Sequence, residues 1–128
     1  MVQASIGLLD LAEQRLKYLG ARQGVLATNV ANADTPGWKA RDLQPFTAVL
    51  AGANSDARAP VQTNPMHLQG TLADTPGIKS LQGERAPDGN QVSLDQQLEK
   101  IAQTDSDHEA VTAIYRRYVG MFKEALGR

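Results

Sequence analysis

The chain has no cysteine, one tryptophan, two phenylalanines and three tyrosines in 128 residues. Without cysteine there are no disulfides and no thiol chemistry, and a zinc site loses its commonest ligand. Aromatics at 5% leave little material for a large independent aromatic core. Neither charge sign is in excess: 13 basic and 14 acidic residues give a net charge of −1, and neither end nor the middle departs from balance by more than one charge. The basic stripe that nucleic-acid binding needs is therefore missing. Long apolar runs are missing too, since no stretch approaches the roughly 20 residues of a membrane span. Met1–Asp10 has no basic start, and Asp10 interrupts the short run Ile6–Leu9, so no cleaved secretory leader is expected. Walker, G-x-S-x-G and H-E-x-x-H patterns are absent. No catalytic residue, cofactor or metal site is expected.

What is present is helical periodicity at both ends. From about Leu8 to Val30, the residues Leu9, Ala12, Leu16, Leu19, Gln23, Leu26 and Val30 recur at alternating steps of three and four, a heptad seam broken once by Gln23. A stripe of small residues, Gly20, Gly24, Ala27 and Ala31, runs beside it and would let another backbone approach. At the other end, Ser93 and Gln96 have capping-box spacing. Leu94, Leu98, Ile101, Asp105, His108, Thr112, Tyr115, Val119, Phe122 and Leu126 then step by four and three without a slip. A neighbouring stripe, Val111, Ile114, Tyr118, Met121 and Ala125, means that one partner helix cannot cover the whole apolar surface. The expected fold is mainly α: an antiparallel coiled coil of N- and C-terminal helices with an irregular, β-rich centre. Residues 1–34 and 93–128 would form one discontinuous coiled-coil domain, and 35–92 the motif turn and central module. Gln23 is expected to meet Asp105, His108 or Thr112 across the pair and so fix register.

Residues 43–92 show no helical period and are punctuated by proline and glycine. Val61–Thr63, His67–Leu68 and Ile78–Leu81 read as short strands, and Ala51–Ala59 as a mobile loop of small and polar residues. Ala73–Lys79 repeats Ala33–Lys39 at six of seven positions, without flanking similarity. Pro87-Asp88-Gly89-Asn90 is a turn signal. Asp105–Glu109 lacks the glycine and distal glutamate of a calcium loop, and His67 has no adjacent nucleophile or carboxylate.

Between the first helix and this centre lies Asn29–Asp42. Pro36 excludes Thr35 from helical geometry, so the helix should stop before it. Pro36-Gly37 suits a type II turn, with positive φ at Gly37. Trp38 follows, flanked by Lys39 and Arg41.

The stretch from Arg22-Gln23 through Leu26–Asp42 to Phe46 resembles the signature of the flagellar rod, hook and axial proteins, and within them the proximal rod form Asn-Ala-Asp-Thr-Pro-Gly-aromatic-Lys-Ala-Arg-Asp at residues 32–42. Thr63–Leu68 and Pro87–Asn90 before a terminal helix agree with it. Trp38, where Tyr or Phe is usual, and His108-Glu109 depart from it. The resemblance implies a structural subunit without catalysis. Its terminal helices would line the inner tube of the rod, through Leu9, Leu16, Leu19, Leu26, Val30, Leu94, Leu98, Ile101, Tyr115, Tyr118, Val119, Phe122 and Leu126. It also implies export without cleavage through the flagellar type III apparatus and helical self-assembly in the periplasm. The implied partners are the export gate, the FliE adapter, the MS ring and other rod proteins. Asn29, Asn32 and Asp34 are expected to cap the helix end and meet neighbouring subunits, and Trp38 to fasten the outer segment onto the helices. A soluble helical adaptor or secretion-chaperone-like module is the alternative reading of the same helices.

Overall fold

The computed structural model describes residues 2–56, 78–80 and 86–127. In chain order the elements are α1 (Val2–Ala31), β1 (Arg41–Leu43), α2 (Phe46–Asp56), β2 (Ile78–Ser80) and α3 (Leu94–Ala125). The protein is mainly helical, with its two long helices at the ends of the chain. At 30 and 32 residues they are each roughly 45–48 Å long.

The two long helices lie side by side and run in opposite directions. Side-chain hydrogen bonds join Asn29 to Gln97, Gln23 to Asp105, Arg15 to Asp107 and Glu13 to Tyr115, so positions rise along α1 as they fall along α3. Of the three partners that spacing offered to Gln23, it meets Asp105, at 3.1 Å.

The face that α3 turns inward differs from the expected seam at its start. Gln97 and Thr104 are each only 1% exposed, whereas Leu94 and Leu98 are 47% and 51% exposed. Polar side chains hold the inner face because their groups are satisfied there. Thr104 donates its hydroxyl proton to the Lys100 carbonyl at 2.7 Å, and Gln97 accepts from Asn29. Ile101, Tyr115, Tyr118, Val119 and Phe122 are partly buried, and Leu126 is exposed. On α1, Leu19 and Leu26 are fully buried, while Leu9, Leu16 and Val30 are half-buried. The small-residue stripe Gly20, Gly24, Ala27 and Ala31 faces outward, and a Cβ on either glycine would have no atom of the described residues within 4 Å.

Ser93 is the N-cap of α3 with extended backbone, φ −91° and ψ 112°, but its side chain makes no capping bond. The capping box with Gln96 therefore does not form. The Ser93 carbonyl instead accepts the Gln97 amide at 3.0 Å, and Asp95 supplies the acidic residue of the first turn.

The centre departs most from the sequence reading. It opens with a helix, α2, and not with irregular chain. Pro45 suits a helix start, and its carbonyl accepts the amides of Ala48 and Val49. Phe46, Val49 and Leu50 have helical spacing; Gly52, Asn54 and Ser55, weak helix formers, mask the period. The loop expected over Ala51–Ala59 is thus helical up to Asp56. β1 and β2 pair antiparallel with Arg41 opposite Ser80 and Leu43 opposite Ile78. The strands expected at 61–63 and 67–68, and residues 73–77 of the repeat, lie outside the described residues.

Where α1, β1 and α2 meet, Tyr18, Leu19 and Leu43 form a buried cluster with Ala21, Val25, Phe46, Val49 and Val111 packed on it. The Tyr18 and Phe46 rings are 5.3 Å apart at 53°, a tilted contact of favourable geometry. The Tyr18 hydroxyl donates to the Gln44 carbonyl at 2.7 Å. No helix among the described residues is long and apolar enough to cross a membrane.

Candidate functional site

The corner that carries α1 into β1 is held by side-chain amides that bond main-chain groups alongside the turn's own backbone hydrogen bonds. α1 ends at Ala31, and its last carbonyls have no partner within the helix. Asn32 turns back and donates to the Thr28 carbonyl at 2.8 Å, while its own oxygen accepts the Thr35 hydroxyl at 3.1 Å. Thr35 to Trp38 is then a tight turn, closed by the Trp38 amide on the Thr35 carbonyl at 3.3 Å. Gly37 within it has φ +72°.

Nothing among the described residues crowds Gly37, since a Cβ there would meet no atom within 4 Å. A side chain at this position is therefore strained by its backbone and not by collision. Gly37→Val is expected to cost about 1–3 kcal/mol, read as a lowered urea midpoint at unchanged slope. An unchanged midpoint would show that the turn relaxes to negative φ at no cost.

The corner is completed from the far end of the sequence. Ala86–Asn90 is a tight hairpin loop: the Gly89 amide bonds the Ala86 carbonyl at 2.9 Å, and the Ala86 amide bonds the Asn90 carbonyl at 2.8 Å. Gly89 has φ +83°, the left-handed position of such a three-residue loop. Asn90 is 4% exposed, and its carboxamide nitrogen donates to the carbonyls of Asn32, Ala33 and Thr35 at 3.2, 2.6 and 2.8 Å. Its oxygen accepts the Val92 amide at 2.7 Å. Main-chain bonds from Gly37 to Asp88 and from Gln91 to Trp38 seal the contact.

Asn29 does the same for the strand. At 1% exposed, it accepts the Arg41 amide at 2.9 Å and donates to the Arg41 carbonyl and to Gln97. It thus pairs with β1 as a neighbouring strand would. This corrects the expectation that Asn29 faces neighbouring subunits: it is inside the chain. Asp34, Thr35, Pro36, Lys39 and Arg41 are exposed. Trp38 is partly buried, with the Arg41 guanidinium 5.5 Å from its ring centre, a cation–π distance.

Asp42 joins all three parts. Arg22 of α1 grips it with two parallel bonds of 3.0 Å, Lys100 of α3 lies 3.5 Å away, and the Leu43 amide donates at 2.8 Å. Burial alone would push the carboxyl pKa up. The Arg22 and Leu43 hydrogen bonds, with the charges of Arg22 and Lys100, outweigh it and hold the pKa below its ordinary value. Arg22 is shifted up, first by its bond to Asp42, against the opposing effect of burial. Sequence reasoning placed Asp42 in the motif but missed Arg22, Asn90, Gln97 and Lys100 as its surroundings. The opposite charges of Arg22 and Asp42 were the available signal.

No nucleophile faces a base in this arrangement, and among the described residues no group of three or more His, Asp or Glu could hold a metal. Its capacity is mechanical: it fixes the angle at which the chain leaves the helix pair.

The flagella basal body rod protein family matches residues 9–39, which is most of α1 and the corner. The flagellar basal body rod protein FlgB of Agrobacterium fabrum is 31% identical over 118 residues, covering 88% of this chain and 87% of the relative. FlgB of Escherichia coli K12 is 31% identical over 124 residues, 88% of each chain. FlgB of Salmonella typhimurium is 28% identical over 131 residues, 93% of each.

Proposed function

The chain belongs to the FlgB family of flagellar basal body rod proteins, and from that premise we propose that it forms the proximal end of the rod, with its paired helices packed against neighbouring axial subunits. It is a structural subunit and not an enzyme. The observation that carries the packing is apolar surface on α3 that α1 does not cover: Leu94, Leu98, Ile114, Met121 and Leu126 are 47–75% exposed. A helix that leaves such residues in water is incomplete as a monomer. In the proposed assembly the helix pair supercoils as an antiparallel coiled coil on the inside of the rod, and the segment from β1 onward faces outward. Export occurs without cleavage through the type III apparatus into the periplasm. The first contacts there are the export gate and the FliE adapter within the MS ring, followed by further copies and other rod proteins. The small set of buried hydrophobics among the described residues, Tyr18, Leu19, Leu26, Ala40 and Leu43, fits a chain that gains order on assembly.

Replacing Leu94 and Leu98 together with serine tests this reading. Both are half in water, so the stability of the isolated chain is expected to move by no more than about 1 kcal/mol. Incorporation into basal bodies, and with it motility, is expected to be lost. Normal rods from the doubly substituted protein would show that this face is not an interface.

A further inference from the structure

Asp88 is the one aspartate in the chain that glycine follows. This dipeptide closes most readily on itself, because glycine offers no side chain to obstruct the ring. We propose that Asp88-Gly89 is a site of spontaneous isomerisation to isoaspartate, held dormant while the corner is closed and released when it opens. The Gly89 amide nitrogen, having lost its proton, attacks Cγ of the protonated Asp88 carboxyl. A C–N bond forms, the carboxyl C–OH bond breaks, and the hydroxyl leaves with the amide proton as one water. The resulting five-membered succinimide takes up one water at either carbonyl and returns aspartate or isoaspartate. No oxidant, reductant or co-reactant is consumed.

Three features of the folded corner oppose the first step. The Gly89 amide that must lose its proton is bonded to the Ala86 carbonyl at 2.9 Å. The Asp88 carboxylate that must turn onto it is engaged by the Asn90 amide at 3.0 Å. The Asp88 carbonyl accepts from Gly37, which pins the loop to the corner. Asp88 is nevertheless exposed, so water reaches it and hydrogen bonding, not burial, supplies the protection. Isomerisation would insert a methylene into the main chain two residues before Asn90, whose carboxamide spans the carbonyls of Asn32, Ala33 and Thr35. A chain altered at this point cannot close the corner again.

The full-length protein is aged at neutral pH in buffer and, in parallel, in denaturing urea. Isoaspartate is read by methyl transfer from S-adenosylmethionine with an isoaspartyl methyltransferase. Splitting of the tryptic peptide Ala86–Lys100 into two species of equal mass locates it. Formation is expected to be at least about tenfold slower in buffer, the ratio following the free energy of opening the loop. Asp88→Glu, which would need a six-membered ring, is expected to abolish the signal in urea. Equal rates in the two solvents, a faster rate in buffer, no isoaspartate at residue 88 in urea, or an undiminished signal from Asp88→Glu would each overturn the proposal.

Discussion

Asn29→Leu is expected to destabilise the chain by about 3 kcal/mol or more. The size similarity of the two side chains conceals what is lost. Asn29 is 1% exposed and makes three hydrogen bonds, to the amide and carbonyl of Arg41 and to Gln97. Leucine would leave all three partners without it, Gln97 in the interior and the Arg41 amide and carbonyl part-buried, and a group stranded away from water costs about 1–3 kcal/mol. The costs are not additive, because Arg41 can shift once released. Asn32 is the useful contrast. Its bond to the Thr28 carbonyl is exposed, so water replaces it and Asn32→Ala should cost about 1 kcal/mol or less. Urea unfolding followed by circular dichroism gives both values, and Trp38 fluorescence reports the corner separately. A midpoint for Asn29→Leu within error of the parent would mean that β1 is not held by this carboxamide.

The same residue shows where the sequence was readable and where it was not. The helix stop and the turn were legible because Pro36 and Gly37 carry their conformational restriction within themselves. The long helices were legible as periods. Their mutual face at the start of α3 was not, because hydropathy assigns an inner face to Leu94 and Leu98. The structure gives it to Gln97 and Thr104, which are buried on the strength of partners 68 residues away or one turn back. No local signal marks a polar residue as satisfied. Asn90 was hidden for the same reason: it read as the end of a turn, and its carbonyl partners lie 55 to 58 positions earlier. α2 was missed on different grounds, since its apolar face is short and its tail is weak in helix formers. Hydrophobic pattern thus revealed the two long helices, and long-range hydrogen bonding decided how they meet.

Asp42→Asn is the second substitution with a large expected effect, and its dependence on pH distinguishes it from simple loss of packing. Asparagine can still accept from the Leu43 amide and from Arg22, but it removes the carboxylate charge that both Arg22 and Lys100 face. Both cations stay close to a side chain that is itself 10% exposed. Breaking a buried pair from one side costs up to about 3–5 kcal/mol; with Arg22 and Lys100 21% and 29% exposed, about 2–3 kcal/mol is expected at neutral pH. Lys100→Met should cost much less, since its contact is longer, at 3.5 Å.

The sign of the pH effect follows from the carboxyl's depressed pKa. An aspartate titrates near 3.9 in the unfolded chain and lower in the folded one, so its contribution is fully present above about pH 4. It is lost as pH falls through the folded value, because the folded state resists the proton that the unfolded state takes up. Two neighbours of Asp42 stay fixed across this window: Arg22, shifted up first by its bond to Asp42, remains charged, and Tyr18, shifted up first by burial, remains neutral. The stability gap between parent and Asp42→Asn should therefore be constant from neutrality down to about pH 4 and then close. A gap that stayed constant into stronger acid would show that the substitution acts through shape, and that the charge on Asp42 does not hold the corner to the helices.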